Sequence, residues 1–278
     1  MQKKLPPLRE VIKKYHLSTK QTLGQNFILD QQLTDKIVKK ANLSHGVSVI
    51  EIGPGPGGLT RSILSSDHVS KYYGIEMDQR CYPLLCELFE AFNLDTTLIE
   101  GDALKCELHK FGEVPRAILA NLPYNISTVI LIKLLQKISE FESLTLMFQK
   151  EVALRMIAKT GTKEYGRLSV MAQWVADIEL CFDISPQAFV PAPKVTSSVV
   201  KFVPKKTTTF DFLNAHWAKM EKTVAVAFQQ RRKMLRQSLK SLFGKEVEDK
   251  LLSLDILPTL RAENLTISDF YNISQLLD

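Results

Sequence analysis

The chain has 278 residues, of which 45% are hydrophobic and 24% charged, with 12 glycines and 12 prolines. This composition is typical of folded proteins and excludes disorder, collagen and low complexity for the chain as a whole. No apolar run approaches the ~20 residues that a membrane span requires, and the N-terminus lacks the apolar stretch of a secretory signal, so we expect a cytoplasmic protein.

The net charge of +6 is unevenly distributed along the chain. Residues 1–40 contain nine basic and three acidic side chains, and residues 204–278 contain twelve and nine, which leaves a net charge of −3 for residues 41–203. Basic ends favour contact with a polyanion such as a nucleic acid, while the mildly acidic middle suits a small molecule. Lysines that merely solvate surface helices would give the same counts, so charge alone leaves both interpretations open.

The first notable segment is Leu23–Asp30, which is too polar and aromatic for a casual linker. It precedes a helix predicted over residues 31–41, and it could close over one end of a bound ligand. Alternatively, Asp30 caps the helix and Phe27 packs against it.

From about Ser48 onward, short β-rich runs alternate with helical patterns, as in a mostly parallel sheet with helices on both faces. We predict seven strands, at residues 48–52, 71–76, 96–100, 116–120, 144–149, 178–183 and 197–203. The helices between them are predicted near residues 58–66, 78–91, 127–138, 150–158 and 168–176. A proline-containing loop too short for a crossover helix joins the last two strands, which predicts an antiparallel hairpin at the sheet edge. The fold class is therefore α/β, with a doubly wound sheet in a domain of residues 1–203.

The chain after Val203 begins with a linker-like run and then shows helical pattern with no convincing strand, which predicts a small helical domain over residues 204–278. Its longest helix is predicted over residues 219–243, with one apolar face and one basic flank. The basic flank carries Lys233, Arg236 and Lys240. Arg231 and Arg232 fall at or inside the apolar face, so they need internal partners or a groove.

A strand followed by a glycine-rich turn and a helix is predicted over Val49–Thr60. Glycines such as Gly53 and Gly55 let the backbone approach a nucleotide-like ligand without a Cβ in the way. A dinucleotide-binding turn is the obvious alternative, but Pro54 and Pro56 remove backbone N–H donors that a pyrophosphate would use, and the strand contains an acidic residue. A ligand with adenosine but no phosphate fits better, and S-adenosylmethionine is such a ligand.

Polar side chains end the neighbouring strands. Glu76 ends the second strand, 23 residues after Gly53, where a carboxylate can accept both hydroxyls of a ribose. Asp102 follows the third strand and could accept from the exocyclic amine of an adenine. Either carboxylate alone could be an ordinary turn or capping residue. However, Gly53, Glu76, Asp102 and Asn121 end four successive strands, which is where ligands bind in open α/β sheets.

The most specific motif is the run Asn121-Leu122-Pro123-Tyr124. An adenine amino group is a poor nucleophile because its lone pair is delocalised into the ring. If the Asn121 side-chain oxygen and the Leu122 carbonyl accept both amino protons, the nitrogen is held pyramidal with its lone pair aimed at a sulfonium methyl. Pro123 fixes that carbonyl, and Tyr124 offers a surface on which an extruded base can stack. An ordinary strand-end turn is the plain alternative.

The loop from Phe189 to Ser197 is stiffened by two prolines. Phe189 could cover the second face of the extruded base, and Lys194 is placed for a phosphate. A buried phenylalanine in an edge loop is the plain alternative.

The expected chemistry needs neither a metal nor a covalent nucleophile, because a sulfonium carries its own driving force. The four cysteines, Cys81, Cys86, Cys106 and Cys181, show no C-x-x-C spacing, which argues against a zinc site and a disulfide framework. We therefore expect them to be small core residues.

Taken in order, these motifs resemble those of the ribosomal RNA adenine N6,N6-dimethyltransferases, which are class I, Rossmann-like, S-adenosylmethionine-dependent enzymes. The matching stretches are Gln25–Phe27, Glu51–Thr60, Asn121–Tyr124 and Phe189–Ser197, and the likeness extends from about residue 20 to the C-terminus. Within the family, the basic run Gln230–Leu239 resembles that of the bacterial enzymes acting on the small subunit. The resemblance implies that two adjacent adenines near the 3′ end of 16S rRNA are each methylated twice. It further implies a 30S assembly intermediate as partner, and a monomer without metal or membrane contact.

Carried over position by position, the resemblance implies three sets of residues. The cofactor site comprises Gln25, Asn26, Ile28, Gly53, Gly55, Glu76, Asp102 and Asn121. The catalytic site comprises Asn121, Leu122, Pro123, Tyr124 and Phe189. The rRNA-binding surface comprises Lys194, Arg231, Arg232, Lys233 and Arg236, most of it in the helical domain.

Three alternatives are open at this point. The large-subunit (23S) rRNA adenine methylases that confer macrolide resistance share the asparagine motif, but they usually have Lys at the position of Pro56 and lack the arginine-rich tail. A non-catalytic assembly factor would keep the fold for RNA contact alone, against which intact Asn121, Tyr124 and Gly53 argue. An NAD-dependent oxidoreductase would show nicotinamide fluorescence changes and no methyl transfer.

Overall fold

The structure is a computed structural model that describes residues 5–19 and 24–277; Leu23, the first residue of the segment singled out above, lies outside the described residues. The strands are β1 (Phe27–Ile28), β2 (Val47–Ile52), β3 (Val69–Glu76), β4 (Asp95–Glu100), β5 (Arg116–Ala120), β6 (Ser143–Gln149), β7 (Ala176–Ile184), β8 (Phe189–Val190) and β9 (Ser197–Pro204). All seven predicted strands are confirmed, as β2 to β7 and β9.

The helices flank these strands in sequence. They are α1 (Leu8–Lys14), α2 (Gln31–Ala41), α3 (Gly58–Leu64), α4 (Tyr82–Phe89), α5 (Tyr124–Leu135), α6 (Lys150–Met156), α7 (Arg167–Val175), α8 (Phe210–Gln229), α9 (Leu235–Ser238), α10 (Lys240–Phe243), α11 (Val247–Leu252) and α12 (Ile267–Gln275). The helix predicted over residues 31–41 is confirmed as α2. The Asp30 carboxylate caps it, accepting from the backbone N–H of Gln32 at 2.9 Å and of Leu33 at 3.3 Å. Helix α5 begins three residues earlier than predicted, directly after Pro123.

The seven long strands form one sheet in the order β4-β3-β2-β5-β6-β9-β7. Neighbours from β4 to β6 run parallel, and β9 runs antiparallel to β6, so the predicted mostly parallel α/β sheet is confirmed. The predicted pairing of the last two strands at the sheet edge is confirmed, because β7 and β9 are neighbours and β7 is the outermost strand on that side. Strand β9 lies between β7 and β6, which is buried along most of its length and needs a strand partner for its outer backbone groups.

The chain divides into two units that differ from the predicted domains. The first comprises Met1–Lys150 and Glu179–Pro204, and the second comprises Glu151–Ile178 and Lys205–Asp278. The boundary after Pro204 lies one residue from the predicted one, but α7 belongs with the C-terminal helices. Within the second unit, α7 packs on α8, and Arg167 of α7 pairs with Glu221 of α8 at 2.7 Å. The functions assigned to the two parts stay predictions.

The long helix predicted over residues 219–243 is wrong. Helix α8 ends at Gln229, and two short helices follow after a break. The apolar periodicity continues across this break, but Arg231 has tertiary partners: its Nη2 donates to the carbonyl oxygens of Lys163 at 2.9 Å and Tyr165 at 3.0 Å. The expectation that Arg231 and Arg232 need internal partners or a groove is therefore confirmed for Arg231 alone. Arg232 is exposed, because no long helix places it on an apolar face.

Only part of the expectation for the cysteines holds. Cys81 is buried, Cys106 and Cys181 are half-buried, and Cys86 is exposed because it lies on the solvent side of α4. In the described part of the chain, no cluster of three or more His, Cys, Asp or Glu side chains has a metal-binding arrangement. Across residues 5–19 and 24–277, no helix is both long enough and apolar enough to span a bilayer.

Gly58 is the point where α3 approaches the segment that carries β1. A Cβ on Gly58 would lie 2.5 Å from the carbonyl oxygen of Ile28, closer than real contacts allow. We expect Gly58→Ala to push β1 away and to lower the free energy of unfolding by about 1–3 kcal/mol, measured by thermal unfolding. Gly166→Ala is the matched control, because its Cβ would meet nothing closer than the Glu164 carbonyl oxygen at 4.0 Å. Equal Tm values for the two variants would contradict the close approach.

Candidate active site

A pocket opens where the carboxyl ends of β2, β3, β4 and β5 meet on one side of the sheet. It is lined by the glycine turn, the ends of these strands, the first turn of α5 and residues 24–28. All eight residues predicted for the cofactor line this pocket, together with Leu122, Pro123 and Tyr124 of the predicted catalytic set. The structure therefore brings together in space what the sequence distributes over about 100 residues.

The glycine turn after β2 leaves room for a ligand. Gly53, Gly55 and Gly57 all have positive φ angles, of 69°, 55° and 83°, which favour glycine over other residues. A Cβ built on Gly53 would meet no atom within 4 Å, so the space beside this residue belongs to the pocket. The turn thus forms a cradle that a side chain at position 53 would partly fill.

Glu76 closes this turn through its carboxylate. Its Oε2 accepts from the Gly55 N–H at 2.8 Å, and its Oε1 accepts from the N–H groups of Met77 at 2.9 Å and Asp78 at 2.8 Å. Burial raises the pKa of Glu76, although these three hydrogen bonds act in the opposite direction. A carboxylate has about four acceptor positions. Glu76 therefore has room for one ligand hydroxyl while the Gly55 bond persists, rather than for the two expected from the sequence.

Asp102 lies on the turn after β4 and also faces the pocket. Its Oδ1 accepts from the Leu104 N–H at 2.9 Å, as expected of a turn-capping carboxylate. Its other oxygen has no protein donor among the described residues and remains available to a ligand amine. Gly101 donates its N–H to the Glu76 carbonyl oxygen at 3.0 Å, which ties the ends of β3 and β4 together.

Asn121 has a fixed amide orientation. Its Nδ2 donates to the backbone carbonyl oxygen of Asn26 at 2.9 Å. Because a carbonyl oxygen can only accept, this bond assigns the nitrogen to the side of Asn26 and leaves Oδ1 on the other side of the amide. The orientation required by the sequence argument, with an oxygen available to an incoming amine, is therefore built into the protein.

Tyr124 is held in place at both ends by serines. Its hydroxyl lies 2.5 Å from Oγ of Ser197, a fully buried residue of β9, and its backbone carbonyl accepts from Ser127 Oγ at 3.0 Å. Burial raises the pKa of the Tyr124 hydroxyl. Neither serine was predicted as a site residue. The signal in the sequence is their position, since Ser127 follows Tyr124 by three residues and Ser197 ends the proline loop.

Phe189 lies elsewhere than the sequence argument required. Its side chain is only 3% exposed, belongs to the hydrophobic core and does not line the pocket. The cause is the antiparallel pairing of β8 with β1, in which Phe189 stands opposite Ile28. Its placement matches the plain alternative of a buried edge-loop phenylalanine, and its contact with a base stays a prediction. Lys194, on the same loop, is exposed.

In the segment before α2, the cap expected of Asp30 is confirmed, whereas closure of the segment over a ligand stays a prediction. Residues 24–28 line the pocket, while Asp30 caps the helix. Gln25 donates to Asp78 Oδ2 at 3.1 Å, and the pKa of Asp78 is lowered to about 2, chiefly by Arg80. The ring of Phe27 packs against the glycine turn, since a Cβ on Gly55 would lie 3.3 Å from it.

The predicted rRNA-binding residues of the second unit differ in their exposure and in how strongly they are bonded to other protein groups. Arg231 bonds two backbone carbonyls and lies 3.4 Å from the Glu263 carboxylate. Arg232 and Lys233 are exposed, and Arg236 lies 3.7 Å from Glu248 at the surface. The exposed pair is thus better placed than Arg231 to meet a phosphate.

Glu51 is a buried carboxyl group in the pocket wall. It is 1% exposed, and its Oε2 accepts from Thr60 Oγ1 and from the Tyr72 hydroxyl, each at 2.7 Å. Burial raises the pKa of Glu51 from 4.5 to about 7, because the two hydrogen bonds do not offset the loss of water.

This shift makes stability depend on pH. Between pH 4.5 and 7 the unfolded chain loses the Glu51 proton while the folded protein keeps it, so stability falls as the pH rises. We expect Glu51→Gln to remove this contribution to the pH dependence. Between pH 4.5 and 7.5, its free energy of unfolding should rise relative to that of the wild type by on the order of 3 kcal/mol. Urea unfolding across that range measures it, with exposed Glu90→Gln as control. Parallel curves for the wild type and Glu51→Gln would exclude the shift.

Comparison with known proteins gives a consistent result. The family model described as Ribosomal RNA adenine dimethylase matches residues 16–278. The Ribosomal RNA small subunit methyltransferase A of Agrobacterium fabrum is 47% identical over 279 residues, which cover 98% of this chain and 98% of the relative. The protein of the same name from Rhodospirillum rubrum is 44% identical over 274 residues, which cover 99% of this chain and 93% of the relative.

Solved structures show the same fold. A dimethyladenosine transferase from Plasmodium falciparum superposes with a TM-score of 0.77 at 27% identity, covering 89% of this chain and 95% of its own. The 23S rRNA methyltransferase ErmE superposes with a TM-score of 0.65 at 23% identity, and the match covers 91% of this chain and 99% of the ErmE chain. At that identity the second likeness concerns the fold alone.

Proposed function

Since the chain belongs to the ribosomal RNA adenine dimethylase family, we propose that it methylates two adjacent adenines near the 3′ end of 16S rRNA, using S-adenosylmethionine. The resemblance drawn from its motifs is thereby confirmed, as is its class, an S-adenosylmethionine-dependent rRNA adenine dimethyltransferase. The proposal assigns both methylations of each N6 amino group to the pocket described above. The observation that carries it is the hydrogen bond from Asn121 to Asn26, which leaves an amide oxygen for the target amine.

The pocket fits the cofactor at three points. The open space beside Gly53 admits a ligand close to the backbone, Glu76 has an acceptor position for a ribose hydroxyl, and Asp102 has an oxygen for the adenine amine. When bound, the cofactor supplies a methyl group on a positively charged sulfur, so the donor needs no further activation. We assign the remaining contacts to Gln25, Asn26, Ile28 and Gly55, which line the same pocket.

The chain's own residues then act on the acceptor. Asn121 Oδ1 and the Leu122 carbonyl oxygen accept the two amino protons, which withdraws the lone pair from the ring and directs it out of the base plane. Pro123 holds the backbone at φ −56° and ψ 131°, and Tyr124 provides the stacking surface, with its hydroxyl tethered to Ser197. The new N–C bond forms as the S–C bond breaks, and one amino proton leaves to water. A monomethylated amine keeps one proton, so one of the two acceptors suffices for the second transfer.

We further propose that the protein acts in the cytoplasm, as a monomer, on a 30S assembly intermediate. The monomer and the assembly intermediate come from the sequence resemblance, and the cytoplasmic location is the expectation stated from the sequence. The first two are tested by asking whether purified protein, monomeric by sedimentation, methylates partly assembled small subunits faster than naked 16S rRNA or mature 30S particles; cell fractionation tests the location.

The reaction is tested by incubating the protein with labelled S-adenosylmethionine and under-methylated small subunits, then digesting the RNA and identifying the nucleoside. We expect N6,N6-dimethyladenosine from the wild type. Asn121→Ala is expected to lower kcat by about 10²–10³-fold, because one of two acceptors for the target amine is lost, while weaker cofactor binding remains detectable. Exposed Asn93→Ala serves as control. Wild-type turnover in Asn121→Ala would refute its role. In a parallel incubation with large subunits, label in 23S rRNA together with none in the small subunits would favour the large-subunit alternative.

The rRNA-binding surface has a separate test. We propose that Lys194, Arg232, Lys233 and Arg236 contact phosphates, whereas Arg231 mainly holds the backbone of its own unit. Replacing Arg232 and Lys233 together by Gln is expected to flatten the slope of log K against log salt by about 1–2, measured by filter binding. Arg231→Gln is expected to change that slope less and to lower Tm instead. An unchanged slope in the double variant would place the RNA elsewhere.

A further inference from the structure

Lys133 is the one charged residue in an otherwise apolar stretch of α5, Val129 to Leu135, and the mechanism above gives it no task. Its Nζ donates to the backbone carbonyl oxygens of Ala103 at 3.2 Å, Leu104 at 2.5 Å and Cys106 at 2.7 Å. A protonated ammonium group has three N–H donors. All three N–H donors of Lys133 are therefore used by one short turn of the backbone.

This turn is the one that presents Asp102 to the pocket. The Lys105 N–H donates to the Asp102 carbonyl oxygen at 2.8 Å, and the Leu104 N–H donates to its carboxylate. Those bonds shape the turn, but they do not attach it to the rest of the molecule. Three carbonyl oxygens that converge on one point also repel each other unless a cation lies between them. The Lys133 ammonium supplies that cation and anchors the turn to α5.

We propose that Lys133 is a positioning residue for recognition of the cofactor's adenine. It holds the turn of residues 102–106 so that the free carboxylate oxygen of Asp102 stays where an adenine amine can reach it. Ala103 lines the pocket beside Asp102 and belongs to the same turn. The inference rests on the proposed function, specifically on the assignment of Asp102 to the adenine amine.

The test compares two ligands by calorimetry: S-adenosylhomocysteine and its 6-oxo analogue, S-inosylhomocysteine. The analogue places a carbonyl oxygen where adenine has its amine, so two acceptors face each other at Asp102 and the wild type is expected to reject it. Lys133→Met keeps the length of the side chain but loses the charge. We expect this variant to bind S-adenosylhomocysteine about tenfold more weakly and the analogue nearly unchanged, so that the preference for adenine falls.

Two further variants complete the design. Lys133→Arg keeps the charge and is expected to restore part of the preference. Lys110→Met is the matched control, because Lys110 lies on the surface after the same turn and pairs with Glu107 at 2.5 Å rather than with the turn's carbonyls. With saturating cofactor, kcat of Lys133→Met is expected to stay near the wild-type value while KM for the cofactor rises. Should Lys133→Met fail to fold, Lys133→Gln replaces it in the same comparison.

The outcomes separate this inference from the proposed function. A lower Tm with an unchanged ratio of affinities for the two ligands would make Lys133 a structural anchor only and overturn the inference. If instead the wild type binds both ligands equally, or Asp102→Asn keeps the full preference, the assignment of Asp102 fails and the inference fails with it. Loss of preference in both Lys133→Met and Asp102→Asn, with Lys110→Met unaffected, supports both.

Discussion

An asparagine amide has a donor NH₂ group and an acceptor oxygen, and only the oxygen can accept a hydrogen bond from the protons of an incoming amine. In this chain the donor end of Asn121 is taken by the carbonyl of Asn26, a residue 95 positions earlier. The catalytic orientation therefore depends on how the segment before α2 docks on the sheet. That docking is supported by the pairing of β1 with β8 and by the packing of Phe27 on the glycine turn. The buried side chain of Phe189 supports this docking as well, because it anchors β8 in the core and β8 pairs with β1.

The electrostatics of the pocket favour a cationic ligand over a phosphate. Its described lining includes three carboxyl groups, Glu51, Glu76 and Asp102, and no lysine or arginine. Burial raises the pKa of both glutamates, and the charge of Glu76 adds to the shift at Glu51. Because Glu51 keeps its proton up to about pH 7, the charge comes from the other two carboxylates, which would repel a dinucleotide pyrophosphate and attract a sulfonium or an ammonium group. This argument against a nicotinamide cofactor is independent of the two prolines in the turn.

The sequence predicted the sheet and the pocket well because both follow from local patterns. Buried parallel strands appear as short apolar runs, and polar residues directly after them meet at one edge. The missed features depend on contacts between distant residues. In the break after α8, Arg231 bonds the carbonyls of Lys163 and Tyr165, more than 60 positions earlier. Likewise, the grouping of α7 with the C-terminal helices follows from packing that amphipathic periodicity does not reveal.

Helix α5 links the two halves of the site. Its first residue is Tyr124, the proposed stacking surface for the acceptor, and Lys133 bonds the turn proposed to recognise the donor's adenine. Lys133 lies nine positions after Tyr124, which corresponds to a rise of about 14 Å along the helix. Because a misplacement of about 1 Å can cost two orders of magnitude in rate, a rigid helix fixes this spacing better than two independent loops would.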